Sequence, residues 1–145
     1  MPKDLLPLYN IEKNLTLSLL GIEARGMAID KKYVTTQRKE YGDRIYRIKH
    51  RIGEVAGEEF NPQSPKQIIE VFTQRGVRIK ATDKASLLSV DDELANMIVE
   101  LREANKIKST YLDALAEEAK DGILHPNFRQ HGTRTGRMSS GGTQD

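Results

Sequence analysis

Between residues 9 and 25 the apolar side chains Ile11, Leu15, Leu19 and Ile22 recur at helical spacing, and Gly26 stands where a C-terminal cap belongs. The short link Met27-Ala28-Ile29-Asp30 follows, and its aspartate can cap the next helix. From residue 31 to 56, Val34, Tyr41, Ile45, Ile48, Ile52 and Val55 fall on alternating steps of three and four, with Arg38 in the one gap. That is a heptad seam. It predicts a helix roughly 40 Å long at about 1.5 Å per residue, packed against a partner helix.

Gly57 ends that pattern and Phe60-Asn61-Pro62-Gln63 reads as a turn. Ser64-Pro65-Lys66-Gln67 then has the form of a capping box, with the serine at the cap, the proline at the first helical position and the glutamine reaching back. A short helix carrying Ile68, Ile69, Val71 and Phe72 is expected before Gly76, and residues 77–89 show no clear period. A second long helical stretch runs over residues 91–119, with Leu94, Ile98, Leu101, Leu112 and Leu115 on one seam. Asn105 and Lys108 interrupt it, so either the helix breaks near Lys106 or those polar residues have work there. Beyond Asp121-Gly122 the period is lost. Ile123 to Phe128 reads as extended chain, and Gly132, Gly136, Gly141 and Gly142 punctuate a polar tail with little to bury. The expected fold class is mainly α, a long antiparallel, coiled-coil-like helical body with a short extended or β segment at its C-terminal end.

Composition agrees with elongated helices. Of 145 residues, 37% are hydrophobic and 30% charged, and there is no tryptophan, so the core must come from Leu, Ile, Val and Ala. The absence of cysteine excludes disulfides and thiolate zinc sites and suits a reducing interior. No apolar run is long enough for a membrane span, and the N-terminal run is too short for a signal peptide. His50, His125 and His131 lie at no ligand spacing; His50 reads as a surface residue.

A net charge of +2 carries no argument for nucleic acid, but the distribution is uneven. Lys31, Lys32, Arg38, Lys39, Arg44, Arg47, Lys49 and Arg51 crowd one segment, opposed there by Glu40 and Asp43. Acids collect in Asp91-Asp92-Glu93 and Glu117-Glu118; the former suit the first turn of a helix. The basic segment is either a face for a polyanion or an ordinary solvated helix face.

The tail and four upstream motifs carry a family resemblance. Phe128-x-Gln130, followed by Thr133-x-Thr135-Gly136-Arg137-Met138-Ser139-Ser140, resembles the stretch that opens the palm of family A DNA polymerases, the bacterial DNA polymerase I-like group and its phage relatives. Lys106-Ile107-Lys108-Ser109-Thr110-Tyr111 is similar to that family's K-L-K-S-T-Y. Phe60-Asn61-x-x-Ser64-Pro65-Lys66-Gln67, Glu23-x-x-Gly26-x-x-Ile29-Asp30 and Asp121-Gly122-Ile123-Leu124-His125 fall in the family's order. The likeness runs from about residue 8 to 140. The ending Gly141-Gly142-Thr143-Gln144-Asp145 departs from the family's usual P-N-L-Q-N, and the long insert of one phage branch is absent between residues 57 and 63.

The resemblance implies a helical thumb subdomain over residues 1–121 and the beginning of a palm over 122–145, the latter poorly ordered alone. It implies a fragment of a DNA-directed DNA polymerase that grips primer-template duplex through backbone and minor groove. The DNA-binding residues it implies are Arg102, Lys106, Lys108, Ser109, Thr110, Gln130, Thr133, Thr135, Arg137 and Ser139. Arg137 would reach minor-groove acceptors that every base pair offers. The metal-binding aspartates of the family lie in motifs this sequence does not contain, so no catalytic residue, cofactor or small-molecule site is expected here. Mg²⁺ belongs to the complete polymerase, and the chain alone should not incorporate nucleotides. The implied partners are primer-template DNA and the remaining palm and fingers, with no membrane, in a cytoplasmic, nucleoid-associated setting of a bacterial or phage-infected cell.

Read from their own chemistry, several of these residues have plainer roles. On that reading Lys106 and Lys108 are solvated while Ser109-Thr110 caps a helix after a break. Arg137 is then a mobile tail arginine. Asn61 and Ser64 either meet a phosphate or serve their own turn and cap. A different class of function is a helical protein–protein interaction module whose seams pair with another chain.

Overall fold

A computed structural model of the chain describes residues 5–119 and 121–141. Helix α1, Leu6–Arg25, takes a proline in its first turn, where a missing N–H is tolerated, and ends on Gly26 at φ 67°. The Gly26 N–H donates to Ile22 O at 2.9 Å. A Cβ at this glycine would overlap Ile123 and the Leu124 carbonyl, because strand β1, Met27–Ala28, pairs there with β2, Ile123–Leu124. Asp30 caps the next helix as expected, its Oδ1 accepting from Tyr33 N–H at 2.9 Å. Helix α2 spans Lys31–Ala56, and Gly57 follows at φ 73°.

The described residues form two compact units, one made of Thr35–Asp113 and the other of the described parts of Met1–Val34 and Ala114–Asp145. In the first, α3 (Pro65–Gln74), α4 (Lys84–Leu88) and α5 (Glu93–Lys106) follow α2. Ile45, Ile48 and Ile52 of α2 share one core with Leu94, Met97, Ile98 and Leu101 of α5, and Ile68, Phe72 and Leu87 complete it. The ion pairs Arg44–Glu100 and Arg51–Glu93 show that α2 and α5 run antiparallel, since one number rises as the other falls. Both pairs sit one heptad apart on each helix, flanking the seam as charges do in coiled coils.

Two local expectations are corrected. Ser64 sits at the N-cap of α3, but its side chain makes no capping bond. Gln67 reaches past it, its Oε1 accepting from Asn61 N–H at 2.5 Å, while Asn61 Oδ1 accepts from Gln63 N–H at 2.9 Å. The turn, not the capping box, uses the polar side chains. Residues 77–89 contain α4, started by Asp83, whose carboxylate accepts from Ser86 N–H and Ser86 Oγ. The helix expected over residues 9–25 forms as α1; of its spaced apolar residues Leu19 is buried, while Ile11 is 61% and Ile22 42% exposed.

The other unit holds two small antiparallel pairings, β1 with β2 and β3 (Asn127–Arg129) with β4 (Ser139–Gly141). Glu23 of α1 ties these together: its Oε1 accepts from Phe128 N–H at 2.6 Å and its carbonyl lies 2.7 Å from His125 Nδ1. Apolar side chains emerge on two sides of α1. Leu8, Ile11 and Ile22 lie on one face and Leu6, Tyr9, Leu17 and Leu20 on another, all exposed. No helix among the described residues is long and apolar enough to cross a membrane.

The seam and α1 should respond differently to truncation. Ile98→Ala, at a position with no exposed surface, should cost about 2–5 kcal/mol in denaturant unfolding of the chain. Ile11→Ala should cost less than about 0.5 kcal/mol, as an exposed substitution does. Equal losses would contradict the assignment of the core.

Candidate nucleic-acid interface

Helix α5 ends at Lys106, and the chain continues in a π-helical segment, Ile107–Asp113, before α6, Ala114–Glu118. The helical stretch over residues 91–119 thus changes type just after Lys106, where the interrupted seam left a break open as one of two readings. Side chains occupy the helical carbonyls at this point, Asn105 Nδ2 donating to Leu101 O at 2.9 Å and Ser109 Oγ to Asn105 O at 2.8 Å. Such bonds compete with the regular backbone ladder and favour local bends and π turns. Isolated π turns are rare and recur at functional sites.

The segment sorts its residues. Lys106 and Thr110 are exposed and make no side-chain bond among the described residues. Ser109 is exposed with its hydroxyl turned to Asn105 O. Lys108 is half-buried; its Nζ lies 2.8 Å from Asp113 Oδ2, and its stem rests where a Cβ on Gly42 would be 3.9 Å from Cε. Arg38 Nε meets the other oxygen of Asp113 at 2.7 Å. The Lys108 ammonium first, and then the Arg38 guanidinium, hold the Asp113 carboxyl below its ordinary range. Arg102 turns away from this group and donates to Thr82 O, fastening residues 77–89 to α5 together with the Lys84–Glu103 pair at 2.6 Å.

The basic stretch of α2 is partly neutralised. Arg38, Arg44 and Arg51 meet Asp113, Glu100 and Glu93, so three of its arginines are spent on the acids opposite. His50 is exposed beside Glu54, as expected of a surface residue. Near the far end of α2, a cleft of about 600 Å³ is lined by Lys49, Phe60, Asn61, Gln63 and Gln67. Asn61 and Gln67 use their side chains on the turn itself, whereas the Ser64 hydroxyl is not engaged as a cap.

On the β3–β4 hairpin the residues divide again. Gln130 is bound to α1: its Nε2 donates to Glu12 O at 3.1 Å and Glu12 Oε2 at 3.0 Å, and its Oε1 lies 2.8 Å from Thr16 Oγ1. Thr133 Oγ1 donates to Arg137 O at 2.6 Å and closes the connecting loop. Ser139 is half-buried in β4, opposite Arg129. Thr135 and Arg137 are exposed and unpartnered among the described residues. No group of three His, Asp or Glu side chains is placed to hold a metal ion among the described residues.

Residues 31–143 match the sequence profile of the family described as DNA polymerase family A. The chain belongs to DNA polymerase family A. It is similar to DNA polymerase I of Helicobacter pylori (strain ATCC 700392 / 26695), 36% identical over 90% of this chain and 15% of that protein. DNA polymerase I of Synechocystis sp. is also 36% identical, over 92% of this chain and 15% of the relative. In structure it resembles the POL domain of Pol1 from M. smegmatis, solved in complex with DNA primer-template and dNTP. The TM-score is 0.79 and the identity 26%, over 89% of this chain and 25% of that one. The family A chain thus spans about a sixth of the length of the curated relatives it matches.

Sequence motifs located the π segment but not its two further members, Asp113 and Arg38. Lys108 and Asp113 are five residues apart, which on an α-helix sets them about 140° apart. Only the π turn stacks them. Because the folded Asp113 carboxyl titrates lower than in the unfolded chain, its pairing stabilises the fold above the unfolded value and is lost as pH falls through the folded one. Carboxyl-carbon NMR across an acid titration should therefore find Asp113 below the ordinary aspartate range. Lys108→Ala should move it back up; an unmoved midpoint would show that the pair is not formed.

Proposed function

We propose that this chain is part of a DNA-directed DNA polymerase that grips primer-template duplex through its sugar–phosphate backbone. The observation that carries the proposal is the π-helical Lys106–Thr110 segment. It exposes a lysine and a hydroxyl at one bend, on a chain whose structural relative was solved on primer-template DNA. A lysine supplies a point charge and a hydroxyl a directional donor, which suit phosphate and carry no sequence information. Arg137 and Thr135, exposed on the hairpin loop, are the further contacts in this reading, with Arg137 directed to the minor groove. Gln130, Thr133 and Arg102 act by holding the local backbone, through their bonds to α1, Arg137 O and Thr82 O, and Ser139 lies half-buried in β4.

Residues 1–121 serve as the thumb and 122–145 as the start of the palm. The catalytic carboxylates and their Mg²⁺ lie in other parts of the polymerase, and the chain alone transfers no nucleotide. The two exposed apolar faces of α1 support the remainder of the polymerase as a partner, since a helix apolar on several sides is built for burial. The working place is the cytoplasm, on the nucleoid.

Duplex binding by the chain should weaken with salt and be indifferent to sequence. Anisotropy titrations of two unrelated duplexes should give parallel lines of log affinity against log salt. Lys106→Ala should reduce the slope by roughly one for both. No salt-dependent binding, with concentration-dependent self-association instead, would favour the helical interaction module.

A further inference from the structure

We infer that Asp113 is a built-in counter-ion of the grip, which a duplex phosphate must displace to reach Lys108 and Arg38. This rests on the duplex-gripping reading above. Asp113 uses one oxygen on Arg38 at 2.7 Å and the other on Lys108 at 2.8 Å. Both cations are therefore held by one carboxylate beside Lys106 and Thr110, the exposed members of the same bend. A phosphate offers the same two-oxygen anionic edge to a guanidinium and an ammonium, so exchange conserves the bonding pattern.

The geometry favours exchange over permanent pairing. Side-chain exposures are 43% for Arg38 and 32% for both Lys108 and Asp113. Ion pairs this wet are individually weak and open readily. The lysine stem rests on α2 at Gly42, so the Lys108 ammonium stays in place when the carboxylate swings away, and the π turn keeps that carboxylate near enough to return. Asp113 is thus a positioning residue for Lys108 and Arg38 in the free chain and a competitor of phosphate in the bound one.

The test is duplex affinity as a function of salt for the wild-type chain, Asp113→Asn, Asp113→Glu, Lys108→Ala and Lys108→Ala/Asp113→Asn, with a labelled duplex of random sequence. Removing the charge should tighten binding about 2- to 10-fold at low salt, the scale of two exposed ion pairs. The salt slope should steepen by about one, because no released carboxylate takes up a cation. Asp113→Glu should bind like wild type, and the gain should fall by more than half where Lys108 is already alanine. Unchanged or weaker binding by an Asp113→Asn chain with the wild-type circular dichroism spectrum would overturn the assignment. Should that variant unfold, the Asp113 carboxyl-carbon resonance of the wild type decides. It should shift on addition of duplex, and a resonance that stays still overturns the proposal. A wild-type chain that binds no duplex would instead remove the grip itself, whereas salt-dependent wild-type binding with Asp113→Asn unmoved removes the counter-ion alone.

Discussion

The contact between α2 and α5 is the interaction on which the rest of the Thr35–Asp113 unit depends. Each helix offers a narrow apolar stripe, and Ile45, Ile48 and Ile52 share one buried core with Leu94, Ile98 and Leu101. A fully buried side chain of this kind contributes about 1.5–3 kcal/mol, against roughly 0–1 kcal/mol for an exposed ion pair. The seam therefore holds the helices together, and the Arg44–Glu100 and Arg51–Glu93 pairs select among registers that would bury similar area. Phe72 and Leu87 close the core over one flank, which fixes α3 and the otherwise irregular residues 77–89 to the same pair. The π segment inherits its position from this arrangement because it continues α5 without a break in the chain.

Much of this was legible in the sequence. The heptad steps from Val34 to Val55 located α2, and the seam from Leu94 to Leu101 located its partner, because apolar periodicity is what burial selects. Glycines at positions 26, 57 and 76 marked helix ends and do adopt positive φ. The charge pattern left two readings open for a physical reason. Segregated bases and acids look like separate faces until an antiparallel partner brings Glu93, Glu100 and Asp113 against Arg51, Arg44 and Arg38. The capping box misled in a similar way, since Asn61 competes for Gln67 and its turn is closed by the same glutamine oxygen.

What could not be read was the change of helical type. A motif resemblance pointed at Lys106–Thr110, yet no periodicity rule places Lys108 beside Asp113, because that pairing exists only when the i to i+5 ladder replaces i to i+4. The apolar faces of α1 were visible as a pattern but not as a fate. Leu19 finds cover within this chain, whereas Leu17, Leu20 and Ile11 stay exposed on it.

A grip on a polymer that must keep moving places opposite demands on the two kinds of contact. The seam must not yield, and it is built from side chains with almost no exposed surface. The groups offered to a duplex must release at each step, which argues for contacts that are wet, charged and replaceable rather than deeply buried. Arg38, Lys108 and Asp113 meet that description, since each remains about a third or more exposed while anchored to a rigid helix pair. An internal carboxylate lowers the net attraction for phosphate without removing the cations that supply it. On the duplex-grip reading, a protein can in this way hold DNA closely in geometry and loosely in free energy, and the π turn is the device that keeps the carboxylate within reach.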